Sequence, residues 1–74
     1  MSEAKQPTTE QLQAAADSFN KDSDIKIKPF LDNGSLFIEA DKRDWARQSE
    51  FLGFVEDAKV KVRNFLKFNY EVEV

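Results

Sequence analysis

Hydrophobic positions recur with different rhythms along this chain, and each rhythm predicts an element. Leu12, Ala15, Ala16 and Phe19 fall at i, i+3, i+4 and i+7, one stripe of a helix. Thr8-Thr9-Glu10-Gln11 just before it fits a capping box, with Thr8 accepting from a backbone N–H and Gln11 reaching back. Glu10 stands where the helix macrodipole favours an anion. The stripe is narrow and suits a helix lying on a sheet. The polar run Asn20-Lys21-Asp22-Ser23-Asp24 ends it.

From residue 25 to 40 the rhythm changes to strict alternation. Ile25, Ile27, Pro29 and Leu31 share one face of a strand, while Lys26, Lys28 and Phe30 share the other. Asn33-Gly34 is the strongest short signal for a two-residue hairpin turn. That turn sets Leu31 opposite Leu36, Pro29 opposite Ile38 and Ile27 opposite Ala40. Every aliphatic residue then lies on one face. The other face pairs Phe30 with Phe37 and Lys28 with Glu39. A three-residue loop, Asp32-Asn33-Gly34, would slip the register by one and mix the faces, so the two-residue turn is preferred. Pro29 donates no ladder hydrogen bond, which leaves a gap or an exposed side on the first strand.

Residues 41 to about 64 return to a helical period. Asp41 or Asp44 can cap the start. Phe51, Val55, Ala58, Val62 and Phe65 form a stripe that Trp45, Leu52 and Phe54 widen. Gly53 lies in the middle and marks a kink, a break between two helices, or close packing. The alternating Lys59-Val60-Lys61-Val62 permits a rival strand. From Leu66 to Val74 alternation is clear: Leu66, Phe68, Tyr70, Val72 and Val74 interleave with Lys67, Asn69, Glu71 and Glu73. This predicts a half-buried strand at the end of the chain.

The expected architecture is therefore α+β, in the order α-β-β-α-β, with a three-stranded antiparallel sheet and both helices on one face. A split βαβ connection gives strand order 2-1-3. Pro29 argues against a central first strand and favours an order with that strand at the edge. Residues 1–7 read as a flexible segment and 8–74 as one small domain.

Composition narrows the function. With 74 residues and neither cysteine nor histidine, disulfides and soft-metal sites are excluded. A core of this size rarely supplies more than roughly 3–5 kcal/mol, so a partner is a natural expectation. Nucleophilic cysteine chemistry and histidine bases are absent, no serine lies in a Gly-x-Ser-x-Gly setting, and two glycines cannot build a phosphate loop. Asn20-x-Asp22-x-Asp24 opens like a calcium loop but has Ile25 at position six and Leu31 at position twelve, so it reads as a connecting loop. Glu56-Asp57 and Glu71/Glu73 read as solvated charge. The expectation is a non-enzymatic protein without cofactor or metal.

No leader-like h-region or membrane-length apolar run is visible, and with no cysteine the reading is cytoplasmic. Net charge is −3, mildly against general nucleic-acid binding. Acids gather in residues 17–24, at 56–57 and at 71 and 73; Lys59, Lys61, Arg63 and Lys67 form a basic stretch without an acid between them. The candidate site is the outer sheet face: Phe30, Phe37, Lys26, Lys28 and, from the third strand, Lys67, with Trp45 as a further anchor. Large rings commonly dominate protein interfaces. The expected function is a regulatory subunit, adaptor or inhibitor that binds a protein through this face. The alternative is a single-stranded nucleic-acid binder that uses the same rings and the basic 59–67 stretch. The bland reading is a cross-strand aromatic pair, exposed or covered by the first helix. The terminal strand also offers an edge for homodimer pairing, unless Glu71 and Glu73 prevent it.

Overall fold

A computed structural model describes residues 6–41 and 45–74. It contains, in chain order, helix α1 (Thr9–Lys21), strands β1 (Ile27–Asp32) and β2 (Ser35–Ala40), and helix α2 (Gln48–Tyr70). The first helix starts as its sequence predicts. The Gln11 N–H donates to Thr8 Oγ1 at 3.1 Å, and the Thr8 N–H donates to Gln11 Oε1 at 3.0 Å. These reciprocal bonds satisfy N-terminal donors that the helix itself cannot pair.

The hairpin has the expected register throughout, from Asp32 opposite Ser35 to Ile27 opposite Ala40. Asn33 (φ 53°) and Gly34 (φ 78°) both adopt the left-handed region that the tight turn demands. Ile27, Pro29, Leu36 and Ile38 are buried on the inner face. Hydrogen-bonded and open pairs alternate away from the turn, which places Pro29 in an open pair. Its missing N–H therefore costs the ladder nothing. The helices lie side by side on the inner face, α1 against β1 and α2 mainly against β2. Leu12 and Ala15 of α1 and Ala58, Val62 and Leu66 of α2 close one core with Ile27, Leu36 and Ile38.

Among the described residues the sheet has two strands, not three. The segment expected as a third strand continues α2 to Tyr70 instead. Leu66 belongs to both patterns: it opens the alternation, but it also follows Ala58 and Val62 at i+4 spacing. All three are essentially inaccessible to solvent. Nothing between Lys59 and Lys67 stops a helix, since that stretch has no glycine or proline. Extending a formed helix fixes one residue per new hydrogen bond, whereas a new strand needs a chain reversal and a partner. Ion pairs from Lys61 to Asp57 (3.1 Å) and Lys59 to Glu56 (3.7 Å) add modest support along the exposed side. The rival strand at Lys59–Val62 is absent for the same reason.

The start of α2 also differs from expectation. It begins at Gln48, behind an extended Arg47 that makes no side-chain cap. Asp41 lies outside the helix, and Asp44 lies outside the described residues. The helix runs through Gly53 as one element. A Cβ added there would meet nothing within 4 Å, so neither a break nor close packing explains this glycine. Gly53→Ala should therefore raise stability by about 1 kcal/mol in chemical denaturation, by removing the glycine's helix penalty. A loss of stability would show that the helix is interrupted there.

At the far end Glu71 turns left-handed (φ 57°), its N–H shared by the Leu66 and Lys67 carbonyls. The chain then folds back, and Val72 is buried in the core. The loose segment expected over 1–7 has residues 1–5 outside the described range; Pro7 is buried. Among the described residues no helix is long and apolar enough to cross a membrane.

Candidate protein-binding face

The alternation of β1 and β2 sends Lys28, Phe30, Phe37 and Glu39 to the side away from the helices, where all four are exposed. Phe30 and Phe37 sit directly opposite each other. Their ring centroids are 5.7 Å apart with planes inclined at 23°, a stacked pair. The rings remain 42% and 41% accessible, so α1 does not cover them. Lys28 stands opposite Glu39 beside the pair.

A further cation joins this face from a different element. Lys59 of α2 extends toward the outer margin of β2, its Nζ lying 5.9 Å from the Phe37 ring centroid. An ammonium at that distance is attracted by the ring quadrupole. Lys59 is part of the basic stretch noted in the sequence, but its place beside Phe37 depends on how α2 docks. Local periodicity carries no such signal.

Three residues expected on this face lie elsewhere. Lys26 folds back onto the end of α1, where its Nζ donates to the carbonyls of Asn20 (2.8 Å) and Ser23 (3.1 Å). A cation suits the negative end of a helix, so this lysine has a local structural role. Lys67 is on α2, not on a strand, and its Nζ is 4.0 Å from Glu73. Trp45 precedes α2 and joins a separate aromatic group, with ring centroids 5.8 Å from Phe51 and 5.2 Å from Phe54. Its Nε1–H donates to the Asp41 carbonyl at 3.0 Å. Phe19 of α1 completes that group against Phe54 at 5.8 Å. Trp45 thus ties the connection between β2 and α2 to the helices.

The Asn20–Asp24 run is a connecting loop. The Ser23 hydroxyl both donates to the Ile25 carbonyl and accepts from the Ile25 N–H. Asn20 turns its carboxamide onto the backbone of Ile27. The edge strand expected at the end of the chain is not formed, so the edge on which strand-paired homodimerisation was expected is missing there.

The face that results is small and mixed. Two stacked rings form its centre, with Lys28 and Lys59 on one side of the charge balance and Glu39 on the other. Glu71 and Glu73, expected there on a third strand, lie beyond the end of α2, with Glu73 4.0 Å from Lys67. No protein-family model, no curated protein and no solved structure matches this chain.

Proposed function

We propose that this protein is a non-enzymatic binding module, a small adaptor, inhibitor or regulatory subunit, whose outer hairpin face engages a protein partner. The observation that carries the reading is the stacked Phe30/Phe37 pair, held on a rigid two-residue hairpin and left accessible. Rings preorganised in this way lose little freedom on binding and bury large area. Lys28, Glu39 and Lys59 form a polar rim that sets orientation around an apolar centre. The absence of cysteine is the basis for assigning it to the cytoplasm.

A second reading keeps the same face and exchanges the partner for single-stranded nucleic acid. The charge balance favours it more than the sequence alone does. Lys59 joins the rings, and Glu71 and Glu73 leave them, so fewer carboxylates oppose a phosphate chain.

Capture from native lysate, with and without nuclease, tests the two together. Phe30→Ala and Phe37→Ala should each abolish capture while changing stability by no more than about 1 kcal/mol, the scale of one cross-strand pair. Capture that persists in both variants removes the face from function. Capture lost on nuclease treatment, and steeply weakened by salt, selects the nucleic-acid reading.

A further inference from the structure

The two margins of the hairpin are chemically unequal. Asp32 and Ser35 flank the turn as a hydrogen-bonded pair, so alternate residues aim their backbone groups outward. On β1 these are Ile27, Pro29 and Leu31; on β2 they are Leu36, Ile38 and Ala40. The β1 margin is closed at Ile27 in the manner of a strand already paired, while the outward groups of Leu31 near the turn meet no partner among the described residues. The Ile27 N–H donates to Asn20 Oδ1 at 2.8 Å, and Asn20 Nδ2 donates to the Ile27 carbonyl at 3.2 Å. Next to it, Pro29 has no N–H to offer. The β2 margin has no such closure. Among the described residues, the outward groups of Leu36, Ile38 and Ala40 meet no hydrogen-bonding partner.

The charge beside this margin is mixed: Lys59 and Arg63 of α2 stand against Glu56, which reaches Lys59, and Glu39 of β2, which lies opposite Lys28. Lys59 and Arg63 follow each other at i+4 on α2, and Lys59 reaches Phe37 past the edge of β2. Lys59 has only a long contact to Glu56, and Arg63 makes no ion pair among the described residues. One turn on, the chain's own end shows the chemistry that suits this side of α2. Val72 is buried and Val74 half-buried, while Glu73 between them points to Lys67. A second copy of the whole chain does not fit the margin. Paired strands lie about 4.8 Å apart, but helices packed on them need about 8–10 Å, and both α2 helices would fall on the same side of the joined sheet. A single extended segment has no helix to collide.

We propose that the open margin of β2 receives an extended acidic segment of a partner protein as a third strand, with its carboxylates meeting Lys59 and Arg63. This rests on the reading of the adjoining face as a protein-binding surface, because the added strand lies next to Phe37. Backbone bonds to Ile38 and Ala40 supply affinity, and alternate side chains supply selectivity. Lys59 guards the margin when it is empty and exchanges the Phe37 ring for a carboxylate when it is filled.

Amide hydrogen exchange on isotope-labelled protein tests this, with a short peptide alternating valine and glutamate as probe and its valine–lysine counterpart as control. At a peptide concentration of about ten times Kd, exchange at Ile38 and Ala40 should slow by about tenfold. The lysine peptide should give no protection, and Lys59→Glu with Arg63→Glu should reverse the preference. Unprotected Ile38 and Ala40 amides at saturating peptide overturn the proposal, as does protection at Ile27 and Leu31 instead. Resonance shifts at Phe30 and Phe37 without protection at Ile38 and Ala40 overturn strand addition and leave the face reading standing. Protection at those amides, combined with partner capture that survives Phe30→Ala and Phe37→Ala, supports the margin and overturns the face.

Discussion

Leu66→Ala should cost about 2–5 kcal/mol, the range for deleting a buried leucine side chain. Leu66 is 0% accessible and is one of the two largest fully buried side chains, so the cavity opens at the centre of the core. A domain this small has roughly 3–5 kcal/mol in total, so the variant should be largely unfolded at room temperature. Circular dichroism with urea titration reads this directly. Phe68→Ala is the informative companion. In an alternating strand, Leu66 and Phe68 would share one buried face, and both truncations would be severe. On the helix Phe68 is 89% accessible, and its removal should change stability by no more than about 0.5 kcal/mol. Comparable large losses at both positions would restore the strand and displace the end of α2.

Gly34→Val should cost about 1–3 kcal/mol, the scale of a backbone held in a sparsely populated region. Gly34 has φ +78°, which a β-branched residue adopts only under strain. A Cβ at this position would also lie 2.9 Å from the Gln6 side-chain amide nitrogen, which can swing aside at little cost, so the strain comes from the backbone angle. The consequence extends beyond stability. Strain at the turn weakens the register that keeps Phe30 opposite Phe37, and a slip of one residue would mix the faces and put the two rings on opposite sides of the ribbon. The variant should therefore lose the stacked-ring contact in nuclear Overhauser spectra. A variant as stable as the parent, with the contact intact, would show that the turn does not need a left-handed glycine.

The parts of the fold that were legible in the sequence are those governed by short-range rules. Thr8 and Gln11 are three residues apart, and the cap they form needs nothing else. Asn33-Gly34 and the alternation around it specify one register, because only that register gathers the aliphatic side chains together. The end of α2 was not legible because Leu66 satisfies two periods at once. The choice between them depends on where Val62 and Ala58 are already packed, a tertiary fact. Lys26 shows a different limit. Alternation placed it on the outer face of the first strand, but it precedes β1, and the nearby carbonyls at the end of α1 hold its ammonium. Trp45 reads both as part of the apolar stripe with Phe51 and Phe54 and as an outer anchor; it packs with those two rings, from a position before α2 rather than on it. Lys59 reaches Phe37 only because a long side chain on one element extends to another, and no sequence period records that.

The neighbour-to-neighbour order of the elements bears on how fast the chain reaches its native state. β1 lies on α1, β2 lies on β1, and α2 lies on β2, so most loops that must close are short. Low contact order of this kind is associated with folding in microseconds to milliseconds. The seam between α1 and α2 joins the two ends of the chain and carries the largest closure entropy. A topology with a returning strand would have added a second long closure; a helix that simply continues does not.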